Sequence, residues 1–403
     1  MSNWQIVKLG ELYSVHNGLS KGRQFFGTGY PFLTFSNVFN NWFLPNELDS
    51  LVQTTDKERE ACSIKYGDVF ITRTSETMNE LGMSSVALKD YPDATYNGFT
   101  KRLRPFTDKV LPNYIGYYLR SPKFRGKFMA FSSMTTRASL ANDNLLNMEI
   151  ELPPMDVQKK IASTLSRYDS LIDNYQKQIK LLEEAAQRLY KEWFVNLRFP
   201  GHENTKIVDG VPEGWEKKSL NQVINLQSGF AFKSSSFDEK GKYKLVTIKN
   251  VKDGRFDGDN VNRLAEVPEK MPIHCRLNDG DILLSLTGNV GRVCLVNGGN
   301  YLLNQRVAKL ESKYQAFSYC LFRSHDMFVE VNNLANGAAQ QNVSPIRIGQ
   351  IQIVVPNEHI INAFEFKASK FVSTILKYHS QLRLLTESRN RLLPKLLSGE
   401  IEV

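Results

Sequence analysis

Cysteine is scarce in this chain. The four cysteines stand at Cys62, Cys275, Cys294 and Cys320. No two have the Cys-x-x-Cys spacing of a zinc or redox motif, and the six histidines do not gather beside them. Neither a disulfide framework nor a zinc site is expected, and a reducing cytoplasm fits. No apolar run approaches the roughly 18 residues of a membrane span, and the opening MSNWQIVKLGE has no signal-peptide core. Missing too are the GxxxxGK(S/T) phosphate loop and the HExxH zinc helix, which argues against a helicase motor and a zinc protease. There is no basic tail and no concentrated basic run. The net charge of +9 is spread along the chain, so any nucleic-acid footprint has to come from how the fold gathers its cations.

Two stretches imitate chemistry. Phe25-Phe26-Gly27-Thr28-Gly29 fits F-x-G-x-G, a pattern seen at the S-adenosylmethionine loop of adenine methyltransferases. That loop lies between a strand and a helix and is followed later by an (N/D)PP(Y/F) motif. Here the glycines precede Tyr30-Pro31 and a strand, and the nearest tripeptide is Leu152-Pro153-Pro154. A turn is the better reading, which sets a self-sufficient methyltransferase aside. Asp253, Asp257 and Asp259 could suggest a metal, but they lie in a Gly-containing run that reads as a solvated turn. No catalytic, cofactor-binding or metal site is assigned to this chain.

What is present is a repeat. From Ile161 the large apolar residues follow one another at alternating steps of four and three: Leu165, Tyr168, Ile172, Tyr175, Ile179, Leu182, Ala186, Leu189 and Trp193. That is the seam of a heptad helix seeking a partner. The same alternation returns 203 residues later, as from Tyr175 to Tyr378. It runs through Phe364, Ala368, Phe371, Ile375, Tyr378, Leu382, Leu385, Arg389, Leu392 and Leu396, with Arg389 the one polar intruder. Identities fall at this offset: Tyr175/Tyr378, Gln178/Gln381, Leu181/Leu384, Leu182/Leu385, Glu184/Glu387, Arg188/Arg391 and Leu189/Leu392. Each helix would be roughly 50 Å long at about 1.5 Å per residue, and the two copies are expected to pair within the chain.

The segments before the helices repeat as well. Trp4, Leu9 and Gly18 match Trp215, Leu220 and Gly229. Gly67-Asp68 and Gly280-Asp281 each lead an apolar run read as a turn and a buried strand. Asn97 and Leu103 match Asn304 and Leu310, and Ile150 and Pro153 match Ile353 and Pro356. Short apolar runs (PFLTF, DVFIT, SSVAL, KLVTI, DILLSL, GRVCLV, IQIVV) read as strands. Helices are expected at PNYIGYYLRS and HDMFVEVNNLA. Strands cluster ahead of helices, so the class is α+β. The expected order is a first domain over 1–154, a central helix over 155–199, a second domain over 200–356 and a C-terminal helix over 357–403, a tandem duplication.

Candidate DNA contacts are polar and basic residues beside aromatic ones. In the first repeat these are Lys21, Arg23, Thr72, Arg73, Thr74, Lys101, Arg102, Arg104 and Arg137. In the second they are Lys233, Lys249, Asn250, Thr287, Asn289, Gln305, Arg306, Gln340, Gln341 and Asn342. Arginine matches guanine O6/N7, asparagine and glutamine match adenine N6/N7, and lysine more often meets phosphate.

The stretches LPPMDVQKKIASTL, QRLYKEWFVNLRFPG and RNRLLPKLLSGEI resemble the spacer helices of specificity (S) subunits of type I restriction–modification systems, and the duplicated layout resembles that family over the whole chain. The resemblance implies two tandem α+β target-recognition domains, each followed by a long helix. The helices would pair as an antiparallel coiled coil with pseudo-two-fold symmetry and act as a ruler between two half-sites. It implies a non-catalytic, cytoplasmic subunit that reads a bipartite, asymmetric site on double-stranded DNA. Two modification subunits would supply S-adenosylmethionine-dependent methylation of adenine, and restriction subunits would add ATP- and Mg-dependent translocation and cleavage. The residues by themselves also fit a coiled-coil-linked protein-binding adaptor without DNA contact. A steep salt dependence of DNA affinity separates the two.

Overall fold

The computed structural model describes residues 4–75, 80–131, 138–139, 141–259, 261–335 and 341–403. The chain forms two compact units, Met1–Leu171 with Leu385–Val403, and Ile172–Leu384. Each long helix therefore contributes residues to both units.

Both units are α+β and share one topology. In the first, a four-stranded antiparallel sheet runs in the order Tyr13–Asn17, Thr100–Pro105, Val69–Thr72, Ser84–Val86. In the second, the order is Asn225–Ser228, Val307–Glu311, Ile282–Ser285, Val293–Leu295. A smaller mixed sheet lies beside each. Phe26–Leu33 pairs with Leu51–Val52 and runs parallel to Thr95–Tyr96. Tyr243–Val246 pairs with Asn262–Leu264 and runs parallel to Tyr301–Leu303. The opening strand of each repeat returns to the strand that leads into its long helix: Gln5–Lys8 with Glu149–Leu152, and Glu216–Ser219 with Gln352–Val355.

Each central strand opens on three successive apolar residues because both faces are covered. Side chains alternate across a strand. Val69 and Ile71 enter one core of the first unit while Phe70 enters the other. Ile282 and Leu284 enter one core of the second unit while Leu283 enters the other. The two halves of the central strand thus belong to different cores, and the run loses the alternation of a one-sided sheet. The glycines of Phe25-Phe26-Gly27-Thr28-Gly29 have φ of 101° and 105°. They lie within the strand Phe26–Leu33, where the pairing register shifts between Phe26 and Tyr30. The stretch is an irregularity in a strand, not a turn before one.

The first long helix is Met155–Tyr190, continued by a π turn over Lys191–Val195. The second is Glu358–Leu397, with Pro394 inside its last turn. Within the second unit they pair antiparallel: Tyr175 meets Tyr378 with ring centroids 5.0 Å apart, and Trp193 meets Phe364 at 5.7 Å. Within the first unit the sense is the same. Ile161 and Leu165 share a core with Leu393, Leu396 and Leu397, and Lys160 Nζ donates to the Val403 carbonyl at 3.0 Å. All the seam residues (Ile161, Leu165, Ile172, Tyr175, Ile179, Leu182, Leu189, Trp193, Phe364, Phe371, Ile375, Tyr378, Leu382, Leu385, Leu392 and Leu396) are buried or half-buried. The polar intruder has a partner: Arg389 Nη1 lies 2.6 Å from Asp169 Oδ1, and its guanidinium sits over the Trp42 ring. Asp169 also accepts the Tyr117 hydroxyl, so the charge in the seam is matched and hydrogen-bonded.

Candidate nucleic-acid interface

The two repeats use one internal frame. Asn97 Nδ2 donates to the Leu33 carbonyl, and its Oδ1 accepts from the Phe99 amide at 2.9 Å; Asn304 Oδ1 accepts from the Arg306 amide at the corresponding place. A Cβ on Gly18 would lie 2.0 Å from the Asn97 carbonyl oxygen, and one on Gly229 2.3 Å from that of Asn304. Only glycine fits there. Asp68 forms a two-pronged pair with Arg104, 2.8 Å to Nε and 2.6 Å to Nη2, while Asp281 pairs with Lys309 at 3.0 Å. The bond to Asp68 is the main cause that raises the Arg104 pKa.

That frame takes up several residues expected at DNA. Thr72 is fully buried; its hydroxyl donates to the Glu80 carbonyl at 2.6 Å and accepts from the Met83 amide at 2.9 Å. Ser285 does the same work in the second repeat, bonding Asn289 O and the Arg292 amide. Arg102 is buried, with Nη1 on the carbonyls of Ala61 and Ser63 and its guanidinium over Tyr96. Arg104 is held by Asp68 and Ser63. Asn250 is buried; its Oδ1 caps Thr247 N at 2.8 Å and its Nδ2 donates to Asp257 O. Asn37 caps Thr34 in the same way, so T-x-x-N is a repeated capping device. These side chains are bound within the protein because strand register and capping turn them inward. Lys21 is also tied down, to Glu58 at 2.8 Å and to the Gln53 carbonyl.

The remaining candidates gather mainly at one end of each four-stranded sheet. In the first repeat Lys101 is opposite both Asn17 and Ile71, and the Arg73 amide donates to the Phe99 carbonyl at 2.9 Å. Thr74 lies in a short strand paired with Ala138–Ser139. In the second repeat the Leu286 amide donates to Arg306 O and the Gly288 amide to Gln341 O, and Thr287 Oγ1 donates to Asn342 Oδ1 at 3.2 Å. Thr287, Asn289, Gln305, Arg306, Gln341 and Asn342 are thereby brought to one rim, all but Thr287 exposed. Arg23, Lys233 and Lys249 are exposed on loops flanking the smaller sheets. Arg137 and Gln340 lie outside the described residues. The structure adds Asn17, bonded to Arg73 Nη1 at 3.3 Å, and Phe99, 63% exposed at the rim. The turn dipeptide Asn97-Gly98 just before Phe99 was the available signal.

The profile of the type I restriction modification DNA specificity domain matches residues 1–184 and 212–384. With both repeats covered, the chain belongs to that family. It is 26% identical over its full length, and over 94% of the relative, to the type I restriction enzyme MjaIX specificity subunit of Methanocaldococcus jannaschii. It is 23% identical to the HindI specificity subunit of Haemophilus influenzae across the whole of both chains. Among solved structures, the S subunit of a type I restriction–modification system from M. genitalium superposes with a TM-score of 0.61 at 15% identity, covering 98% of this chain and 96% of the other. That last likeness speaks to the fold.

Proposed function

We propose that this chain is the DNA-recognition subunit of a type I restriction–modification complex, without catalysis of its own. It reads a bipartite, asymmetric site in double-stranded DNA and directs methylation and restriction by partner subunits. The observation that carries this reading is the duplicated sheet end, built on one frame in a family of DNA specificity domains and carrying different polar side chains in each copy. Two like domains with unlike rims suit two unlike half-sites. The modular units are residues 1–154 and 200–356, with the helices of 155–199 and 357–403 between and after them. Among the described residues no helix is long and apolar enough to cross a membrane, and a cytoplasmic place is in keeping with the DNA substrate.

Two modification subunits per chain are supported by the repeat identities. Tyr175/Tyr378, Leu182/Leu385 and Leu189/Leu392 lie on the seam, where helix pairing accounts for them. Leu181 and Leu384 do not: they are 63% and 47% exposed. An apolar side chain duplicated on the outer face is what two copies of one partner would require. The partners, not this chain, bring S-adenosylmethionine for adenine methylation, and ATP and Mg for restriction. The family description disfavours a protein-binding adaptor without DNA contact.

The test is methylome sequencing of a host that carries this chain with its modification subunits, beside one in which residues 1–150 come from another such subunit. A split motif in which the exchange alters one half alone is expected. If both halves change, or neither does, the reading is wrong. Methyl transfer by the purified chain alone would also refute it.

A further inference from the structure

One corner of the first repeat departs from the chemistry around it. On the face of the sheet that enters the large core, successive rungs can be followed by register. Val15, Leu103 and Val69 form one apolar rung, and Asn17, Lys101 and Ile71 form the next. Arg73 follows Ile71 two residues on, hence on the same face. The core therefore ends in two cations. Lys101 is only 5% exposed, and its Nζ bonds the neutral Asn142 amide oxygen. Arg73 Nη1 bonds the neutral Asn17 amide oxygen, and its buried Nε has no partner. Among the described residues neither cation is ion-paired. Arg73 is close enough to act on Lys101, whose pKa is lowered, chiefly by burial and then by the Arg73 charge. Two uncompensated cations at the edge of a core are costly for folding. The matching positions of the second repeat carry no charge. They are Ser228, Ala308, Leu284 and Leu286, and the last three are core.

We infer that Arg73 and Lys101 form a seat for one phosphate of the DNA backbone, present in the first repeat and absent from the second. This rests on the reading of the chain as a DNA-recognition subunit and gives that rim an uneven division of labour. A buried lysine has no reach into a groove, but its charge, behind an arginine at the rim, suits an anion that comes to the surface. A phosphate satisfies the free guanidinium donors and cancels the mutual repulsion, and such a contact sets position rather than sequence. Arg73, read from sequence as a base-contact candidate, becomes a positioning residue.

The experiment uses the full complex with its modification subunits and duplexes carrying the split site. Arg73→Gln and the double variant Arg73→Leu/Lys101→Ala, which installs the residues of the second repeat, are compared with the unmodified protein. Loss of one phosphate contact lowers the slope of log affinity against log salt by about 0.9. The expected result is that change, with the base preference of both half-sites intact. Methylphosphonate scanning supplies a second readout that does not depend on the double variant folding. One neutralised phosphate in the first half-site should weaken the unmodified protein and leave Arg73→Gln unaffected. An unchanged salt slope, or relaxed preference at one base pair, overturns the phosphate seat and leaves the DNA-recognition reading standing. Absence of split-site binding by the unmodified complex removes that reading itself, and the seat with it.

Discussion

At the same corner of the same sheet, the first repeat places Asn17, Lys101 and Arg73 where the second places Ser228, Ala308 and Leu286. The backbone around the two corners is equivalent: the Arg73 amide donates to Phe99 O at 2.9 Å and the Leu286 amide to Arg306 O at 3.0 Å. Charge has moved as well. Phe99 is exposed where the second repeat has exposed Arg306, and the cations that the first repeat keeps inside its rim have no counterpart in the second. A frame of buried polar bonds and one glycine holds the loops, and only what the frame does not use is free to differ. Asp68 and Asp281, Thr72 and Ser285, and the caps Thr34–Asn37 and Thr247–Asn250 belong to the frame. The rim is where two domains of one fold acquire two readouts.

The comparison is broken most strongly at the helix seam, where the repeats carry unequal side chains at matched positions. Phe364 is fully buried, with its ring against Tyr190, Trp193, Phe194 and Phe317. Its counterpart Ile161 is 1% exposed in the core of the first unit, and no ring pair is formed at that position. Phe364→Ala should cost about 3–5 kcal/mol and Ile161→Ala about 2–4. Denaturant unfolding with probes in each unit checks this. Equal losses, or a larger one at Ile161, would mean that the aromatic cluster does not anchor the second unit.

Much of this architecture was legible beforehand, and the illegible part has a physical cause. The four-three alternation marked residues that bury one stripe, and the Gly-Asp pairs marked turns before central strands; both patterns are local. The burial of Lys101 and Arg102 is illegible for the opposite reason. A basic pair in a strand reads as surface, yet Lys101 and Arg102 point to opposite faces of a sheet covered on both sides. Nothing in the local sequence announces the second cover. Asn250 could have been recognised, since Thr247-Ile248-Lys249-Asn250 and Thr34-Phe35-Ser36-Asn37 share T-x-x-N. The π turn over Lys191–Val195 and the helices Pro122–Phe131 and Gln315–Arg323 gave no recognised signal.

The next contrast concerns the buried acid of each frame. Asp68 is fully buried and holds Arg104 by two bonds, whereas Asp281 retains 15% side-chain exposure and holds Lys309 by one. Removing one partner of a buried pair leaves the other uncompensated. Asp68→Asn should cost about 2–3 kcal/mol, since Arg104 keeps its Ser63 bonds and some solvent. Asp281→Asn should cost about half as much. Thermal unfolding of the two variants side by side is the measurement, and a reversed order would show that the second repeat depends more on its lysine than the geometry allows.

The smallest effect is a pH dependence, and it distinguishes the two corners. Lys101 has a pKa below that of a free lysine, through burial first and the Arg73 charge second. Between its folded and unfolded pKa values the folded chain binds fewer protons than the unfolded chain, so this group makes stability rise with pH across that window. Below the window its full cost is felt. Lys101→Ala removes the cost and the rise together. The variant should be more stable than the unmodified chain near neutrality, by a fraction of a kcal/mol to about 1, and the advantage should shrink as pH climbs toward the free-lysine value. The buried tyrosines, raised by desolvation, lower stability at alkaline pH in both proteins, so the difference between the two curves is the quantity to follow. Ala308→Lys in the second repeat should do the reverse, placing an unpaired charge in an apolar core and losing stability most at neutral pH. If Lys101→Ala is destabilising near neutrality, the lysine is held by its Asn142 bond more favourably than its burial costs, and the first repeat gives up no stability for its cations.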